Sequence, residues 1–289
     1  MNLQAERLRA LAKAQQGRRD RDQRRPHRSS ETHPRAGRLA IPSVALLSGQ
    51  TGVGRTSLAI GLSIFLAKAA RVTLVDLGRG DVARTLGLAD ADPVRLSVRG
   101  RRPFAGARVE ACPGLQILSG SAHRDDVREP AWARTRRLVD QLNELSGHTD
   151  VVALDLDSCW RQETYDLACS ATLGLLVMTP DAPAVTAGFA LYKRFMQDQA
   201  GPAIGLVINM ATPVEGARVG EGLAQVARRF QDSDLPLFGV IPYDPGLAAA
   251  RAAREPYATH SPLAPASRAF AQLARRVQEA LTPHDKVSQ

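Results

Sequence analysis

From Ile41 onward the chain alternates between two patterns of apolar and polar positions. Short runs that stay apolar from end to end recur between polar turns: Val44–Ser48, Val72–Asp76, Leu115–Leu118, Val151–Leu156, Leu173–Thr179, Ile204–Ile208 and Leu237–Ile241. Between most of them lie amphipathic stretches long enough for a crossover helix, as in Arg55–Lys68, Arg134–Leu145, Ala184–Asp198 and Val214–Phe230. A strand that is apolar on both sides must be covered on both faces, and strand–helix alternation supplies that cover. The pattern predicts one α/β domain over residues 41–289, a mostly parallel sheet with helices on both faces. In such sheets ligands bind at the carboxyl ends of the strands, so the residues that follow each run carry the chemistry.

Four segments depart from this alternation. Residues 89–114 show no clear period and hold a basic run, Arg99, Arg101 and Arg102, which reads as an exposed connection. Residues 265–281 align Phe270, Leu273, Ala274, Val277 and Leu281 on one narrow helical face, read as packing on the core in preference to membrane contact. Ahead of the domain, residues 1–15 suit a short amphipathic helix with Leu8, Leu11 and Ala12 on one face and Ala5 beside them. Such a helix is too short to be stable alone in water. Residues 16–40 are basic and nearly devoid of large apolar side chains, the composition of a disordered linker.

Charge changes the picture only at that end. Residues 1–38 carry 11 Lys or Arg against 4 Asp or Glu, which is +7 of the total +9, so the folded body is near neutral. A solvated linker accounts for the basic tail; nucleic acid is the alternative partner. Cys112, Cys159 and Cys169 have no CxxC spacing and no nearby His cluster, which argues against a metal site or a disulfide framework. No apolar run approaches the roughly 20 residues that span a bilayer. The first residues are charged and have no apolar core, unlike a secretory signal. The expected location is the cytoplasm, with the inner membrane as a peripheral alternative.

The first apolar run leads into Gly49-Gln50-Thr51-Gly52-Val53-Gly54-Arg55-Thr56-Ser57, and an amphipathic helix follows at once. This is a phosphate-loop pattern in its strand–loop–helix context, in which glycines let backbone N–H groups and a helix N-terminus surround a phosphate. The Thr56 hydroxyl is placed for Mg²⁺. Arg55 stands where a lysine usually reaches the β- and γ-phosphates, and a planar fork does not reproduce a compact point charge.

These residues resemble the MinD/ParA ATPases, whose loop reads KGGVGKT[ST]. Val72–Asp76 followed by residues 80–88 resembles the segment "VDxD…LLGL" of the same family. Four later stretches are similar to the FlhG branch of flagellar regulators: 150–155, 179–193, 207–216 and 239–244, the last reading Gly239-Val240-Ile241-Pro242-Tyr243-Asp244. The N-terminal Leu3-Gln4-Ala5-Glu6-Arg7-Leu8-Arg9 resembles the "DQAxxLR" helix of that branch, which docks on the signal-recognition-type GTPase FlhF.

The resemblance implies ATP or ADP held by Gly49 through Ser57 with Asn209 and Pro242 at the adenine. It also implies Mg²⁺ near Thr56, Asp76 and Asp155, and partner contact through Gln4, Ala5, Leu8 and Arg9. Arg55 and Asp155 are the catalytic candidates. A nucleotide-dependent homodimer and contact of the C-terminal helix with membrane belong to the same pattern.

Four departures bear on turnover. The family's signature lysine is Gln50, its loop lysine is Arg55, the second Asp of its "DxD" is Gly78, and its "DTGAG" switch is Asp155-Leu156-Asp157-Ser158-Cys159. Phosphoryl transfer relies on positioning and charge stabilisation, so these losses point to binding with little hydrolysis. The expectation is an FlhG-like regulator with degraded ATPase activity. An active MinD-like ATPase switch and a ParA-like DNA-binding partitioning or polar-organising factor are the alternatives.

Overall fold

The computed structural model describes residues 37–78, 81–88, 94–95, 108–121, 131–157, 161–197, 201–253 and 263–282. The expected docking helix and most of the expected linker lie outside these residues. The chain is already part of the folded body at Leu39, which is buried and donates its backbone N–H to Ser170 O at 2.8 Å.

All seven apolar runs are strands: β1 (Ser43–Leu47), β2 (Val72–Asp76), β5 (Leu115–Ser121), β6 (Val151–Asp155), β7 (Leu173–Met178), β8 (Ala203–Asn209) and β9 (Leu237–Ile241). They pair in parallel in the order β5-β2-β6-β1-β7-β8-β9. Every residue of β1, β2, β6 and β7 is buried, so both faces of the sheet centre are covered. The four amphipathic stretches are helices α1 (Arg55–Leu66), α3 (Ala131–Asn143), α5 (Ala182–Gln197) and α6 (Pro213–Gln231).

The expected exposed connection over 89–114 needs correction. It contributes β3 (Val94–Arg95), parallel to β5, and β4 (Val109–Cys112), which pairs antiparallel with β5. β4 is only half-buried, so it lacks the continuous apolar run that marks the inner strands. Three short helices, α2 (Asp81–Thr85), α4 (Gln162–Ser170) and α7 (Pro245–Ala253), were also not anticipated, since each offers too few turns for its period to stand out.

Local chemistry fixes the helix starts. Asp181 accepts the backbone N–H of Ala184 at 3.0 Å and the hydroxyl of Thr179, which holds its carboxyl below the usual range. Thr212 accepts from Glu215 N at 3.2 Å, with Pro213 in the first turn of α6.

The last helix, α8 (Pro265–Leu281), buries the face expected for it. Phe270, Leu273, Ala274, Val277 and Leu281 are all in the core, and α8 packs on α1 and β9. Phe270 stacks on Phe65 with ring centroids 6.5 Å apart. Gly61 makes this approach possible, because a Cβ there would lie 2.7 Å from Cζ of Phe270. From the outer side of α8, Arg276 Nη1 donates to the carbonyls of Leu237 (2.6 Å) and Phe238 (3.1 Å), covering polar groups of the terminal strand β9. Among the described residues no helix is long and apolar enough to cross a membrane.

Two predictions follow from these contacts. Gly61→Ala overpacks α1 against α8 and should cost about 1–3 kcal/mol in urea unfolding, with partial recovery in the double variant Gly61→Ala/Phe270→Leu. A cost for the single variant unchanged by Phe270→Leu would contradict this packing.

The second concerns the amino ends of β2 and β6, where Arg71 grips Asp150 through Nη2 at 2.6 Å, Nε at 3.0 Å and its backbone N–H at 2.8 Å. The Arg71 side-chain hydrogen bonds hold the Asp150 carboxyl down at about 2, against an ordinary 3.8. A depressed carboxyl stabilises the fold above its unfolded pKa and loses that contribution as pH falls through the folded value. The stability gap between wild type and Asp150→Asn should therefore hold above about pH 4 and narrow towards pH 2 in thermal melts. A gap that widens on acidification would be the contrary result.

Candidate functional site

The site is built where β1 ends. The strand runs out of the sheet centre at Leu47, Ser48 remains buried, and the chain then turns through Gly49 and Gln50 to the exposed Thr51 and Gly52. Val53 turns back into the core, and α1 starts at Arg55. Gly54, the residue ahead of the helix, sits at φ 79°, in the left-handed region that glycine enters without cost. A Cβ at Gly54 would also fall 2.4 Å from Nδ2 of Asn209, so the turn needs glycine twice over. Gly54 offers α1 no side-chain cap, and the first turn of α1 holds no acidic residue. The N–H groups at such a helix start lack intrahelical partners and favour an anion.

Asn209 locks the loop from the other side. It is buried at the end of β8, and its Nδ2 donates to Val53 O at 2.8 Å. Met210 follows in a left-handed conformation, φ 56°, which a non-glycine residue adopts at a cost of order 1 kcal/mol. A Cβ at Gly54 would lie 3.1 Å from Met210 Cε, so this partly exposed side chain lies beside the loop. Pro242 is half-buried just beyond β9, the strand next to β8. Thus the structure brings Asn209 to the phosphate loop and leaves Pro242 at the neighbouring strand end.

The carboxylates expected near a metal have other partners. Asp155, at the end of β6, is 2 % exposed and uses both oxygens. Its Oδ1 accepts from Arg55 Nε at 2.9 Å, and its Oδ2 from the Thr56 hydroxyl at 2.7 Å. Arg55 Nη1 also donates to Ser48 Oγ at 3.0 Å. The guanidinium thus lies back along the sheet end, bridging β1 and β6. Asp76, at the end of β2, accepts the backbone N–H of Gly78 on Oδ1 (3.0 Å) and of Val82 on Oδ2 (2.9 Å), so it organises the turn into α2. Asp157 is half-buried with a partner of its own, while Ser158 and Cys159 lie outside the described residues.

The phosphate-binding part therefore fits a nucleotide: a glycine turn and an uncapped helix start. The metal part does not fit Mg²⁺. Thr56 could donate to Asp155 and still offer its oxygen to a cation. Asp155, however, already carries a guanidinium on Oδ1, and Asp76 is committed to backbone N–H groups.

Residues 44–257 match the model of the CobQ/CobB/MinD/ParA nucleotide binding domain. The chain belongs to the CobQ/CobB/MinD/ParA family. Within that family it is similar to the antiactivator FleN of Pseudomonas aeruginosa, 26 % identical over 241 residues that cover 82 % of this chain and 86 % of FleN. The fold is that of the MinD cell division protein of Aquifex aeolicus, with a TM-score of 0.68 at 20 % identity, covering 84 % of this chain and 98 % of that one. It is also that of the septum site-determining protein MinD of Pyrococcus horikoshii, solved with Mg-ADP, with a TM-score of 0.67 at 22 % identity, covering 83 % and 96 %.

Two participants were missed in the sequence. Ser48 and Met210 are ordinary residues for a strand end, and nothing in their neighbours distinguishes them. Only the strand pairing shows that Ser48 shares Arg55 with Asp155.

The ion pair makes a sharp stability prediction. Arg55→Ala strands a buried carboxylate and should cost about 3 kcal/mol in chemical unfolding, while Arg55→Ala/Asp155→Ala should cost clearly less than the sum of the single changes. Strict additivity would mean that the pair is not formed.

Proposed function

We propose that this protein is an FlhG-like regulator of flagellar assembly or placement, which acts by binding partners and holds ATP or ADP with little or no hydrolysis. The similarity to FleN over most of both chains carries the reading. The FlhG-type stretches at 179–193 and 207–216 support it, as does the docking-helix match at Leu3–Arg9. In this reading the N-terminal helix, tethered by the basic linker, presents Gln4, Ala5, Leu8 and Arg9 to a signal-recognition-type GTPase. A short amphipathic segment that becomes helical on a groove is a common way to dock a partner.

The nucleotide serves as a structural or gating ligand at the loop from Gly49 to Ser57. Low turnover is supported by the folded-back Arg55, by Gly78 in place of a carboxylate, and by the neutral Gln50 where the family carries a lysine across its dimer. An amide at Gln50 supplies no positive charge to a partner's phosphates, so any pairing of two copies would depend less on ATP than it does in the family. The burial of Phe270, Leu273 and Val277 gives the apolar face of α8 an intramolecular role in this reading, with no membrane surface required.

The test pairs the peptide of residues 1–15 with the organism's signal-recognition-type GTPase. Stimulated GTP hydrolysis that falls about tenfold with Leu8→Asp is the expected result. A peptide that neither binds nor stimulates the GTPase would remove this function. ATP turnover abolished by Thr56→Ala would instead favour the active-switch alternative.

A further inference from the structure

The departure at Arg55 does more than remove a lysine. Its guanidinium is anchored twice, through Nε to Asp155 Oδ1 at 2.9 Å and through Nη1 to Ser48 Oγ at 3.0 Å. It is itself largely buried, at 14 % side-chain exposure against 2 % for its partner. A divalent ion bound beside Thr56 needs a carboxylate that accepts hydrogen bonds from its water shell. Here the β6 carboxylate already balances a cation, and the β2 carboxylate holds the N–H groups of Gly78 and Val82. Mg²⁺ beside Thr56 would find the Asp155 carboxylate already taken by Arg55 and Thr56, and both oxygens of Asp76 taken by backbone N–H groups.

We propose that Arg55, by occupying Asp155, keeps Mg²⁺ out of this site, so that a nucleoside diphosphate or triphosphate binds this loop without a divalent cation. The phosphates rest on the backbone N–H groups at the start of α1. The inference rests on the reading that this loop holds a nucleotide, and it adds that the nucleotide is held free of metal. It also gives Arg55→Lys a definite phenotype. A lysine cannot make the two-pronged contact to Asp155 and Ser48, and as a flexible point charge it is free to leave the carboxylate for the phosphates. Asp155 would then become available to a hydrated metal.

The experiment is calorimetric titration of the full chain with ADP, in excess Mg²⁺ and again in EDTA, for wild type and Arg55→Lys. The wild-type Kd should differ less than about threefold between the two buffers, and Arg55→Lys should bind about tenfold or more tightly with Mg²⁺ than without it. Wild-type binding that Mg²⁺ tightens by more than about threefold overturns the inference while leaving nucleotide binding intact. So does an Arg55→Lys variant that folds, by near-ultraviolet circular dichroism, and stays indifferent to Mg²⁺. Absence of ADP binding by the wild type in both buffers removes the nucleotide reading itself, and the inference with it. If Arg55→Lys does not fold, the two wild-type titrations decide.

Discussion

A carboxylate buried to 2 % exposure at the end of a central strand cannot stay charged there without compensation, and Asp155 is in that position. In this chain the compensation comes from Arg55 and Thr56, the first two residues of α1. The bond from Arg55 to Ser48 adds β1 to the same cluster. One ion pair therefore ties together β1, the phosphate loop, α1 and β6, the elements that define the ligand face of the sheet. Asn209 repeats the tie from β8 through Val53 O. The loop is held in shape by side chains of this protein.

That arrangement separates two properties which usually travel together in a phosphate loop. Anion binding depends on glycines and helix N–H groups, and both are present. Turnover depends on a mobile cation at the phosphates, an activated water and a metal. Here the Arg55 guanidinium is held on the Asp155 carboxylate. In the reading proposed above, the loop keeps a place for phosphate while Arg55 and Asp155 are engaged in holding the domain together.

Most of the architecture was legible in the sequence because the inner strands are apolar on both sides and the long helices are strongly amphipathic. β1, β6 and β7 could scarcely be read otherwise. The segment around β4 reads as a connection in the sequence, since a half-buried edge strand such as Val109–Cys112 carries no comparable signal. α2, α4 and α7 are too short for a helical period to stand out. At the site, the loop and the two strand-end aspartates carry recognisable motifs, but motifs do not convey the pairing between them. Arg in place of Lys signals a change at Arg55, but its direction depends on the end of β1 lying beside the end of β6, where Leu46 pairs with Asp155 and Ser48 follows just beyond the strand. The commitment of Asp76 to the backbone N–H groups of Gly78 and Val82 is local, and a strand-end aspartate in a motif does not show which donors its oxygens accept.

If Arg55 belongs to Asp155, it stays there when the loop is filled, and a crystal structure of the protein grown with ADP and Mg²⁺ decides this. The expected result is ADP phosphates over the start of α1 with Arg55 Nε still on Asp155 Oδ1 and no metal between Thr56 and Asp155. A guanidinium swung onto the phosphates, with Mg²⁺ coordinated by Thr56 beside a freed Asp155, would contradict it.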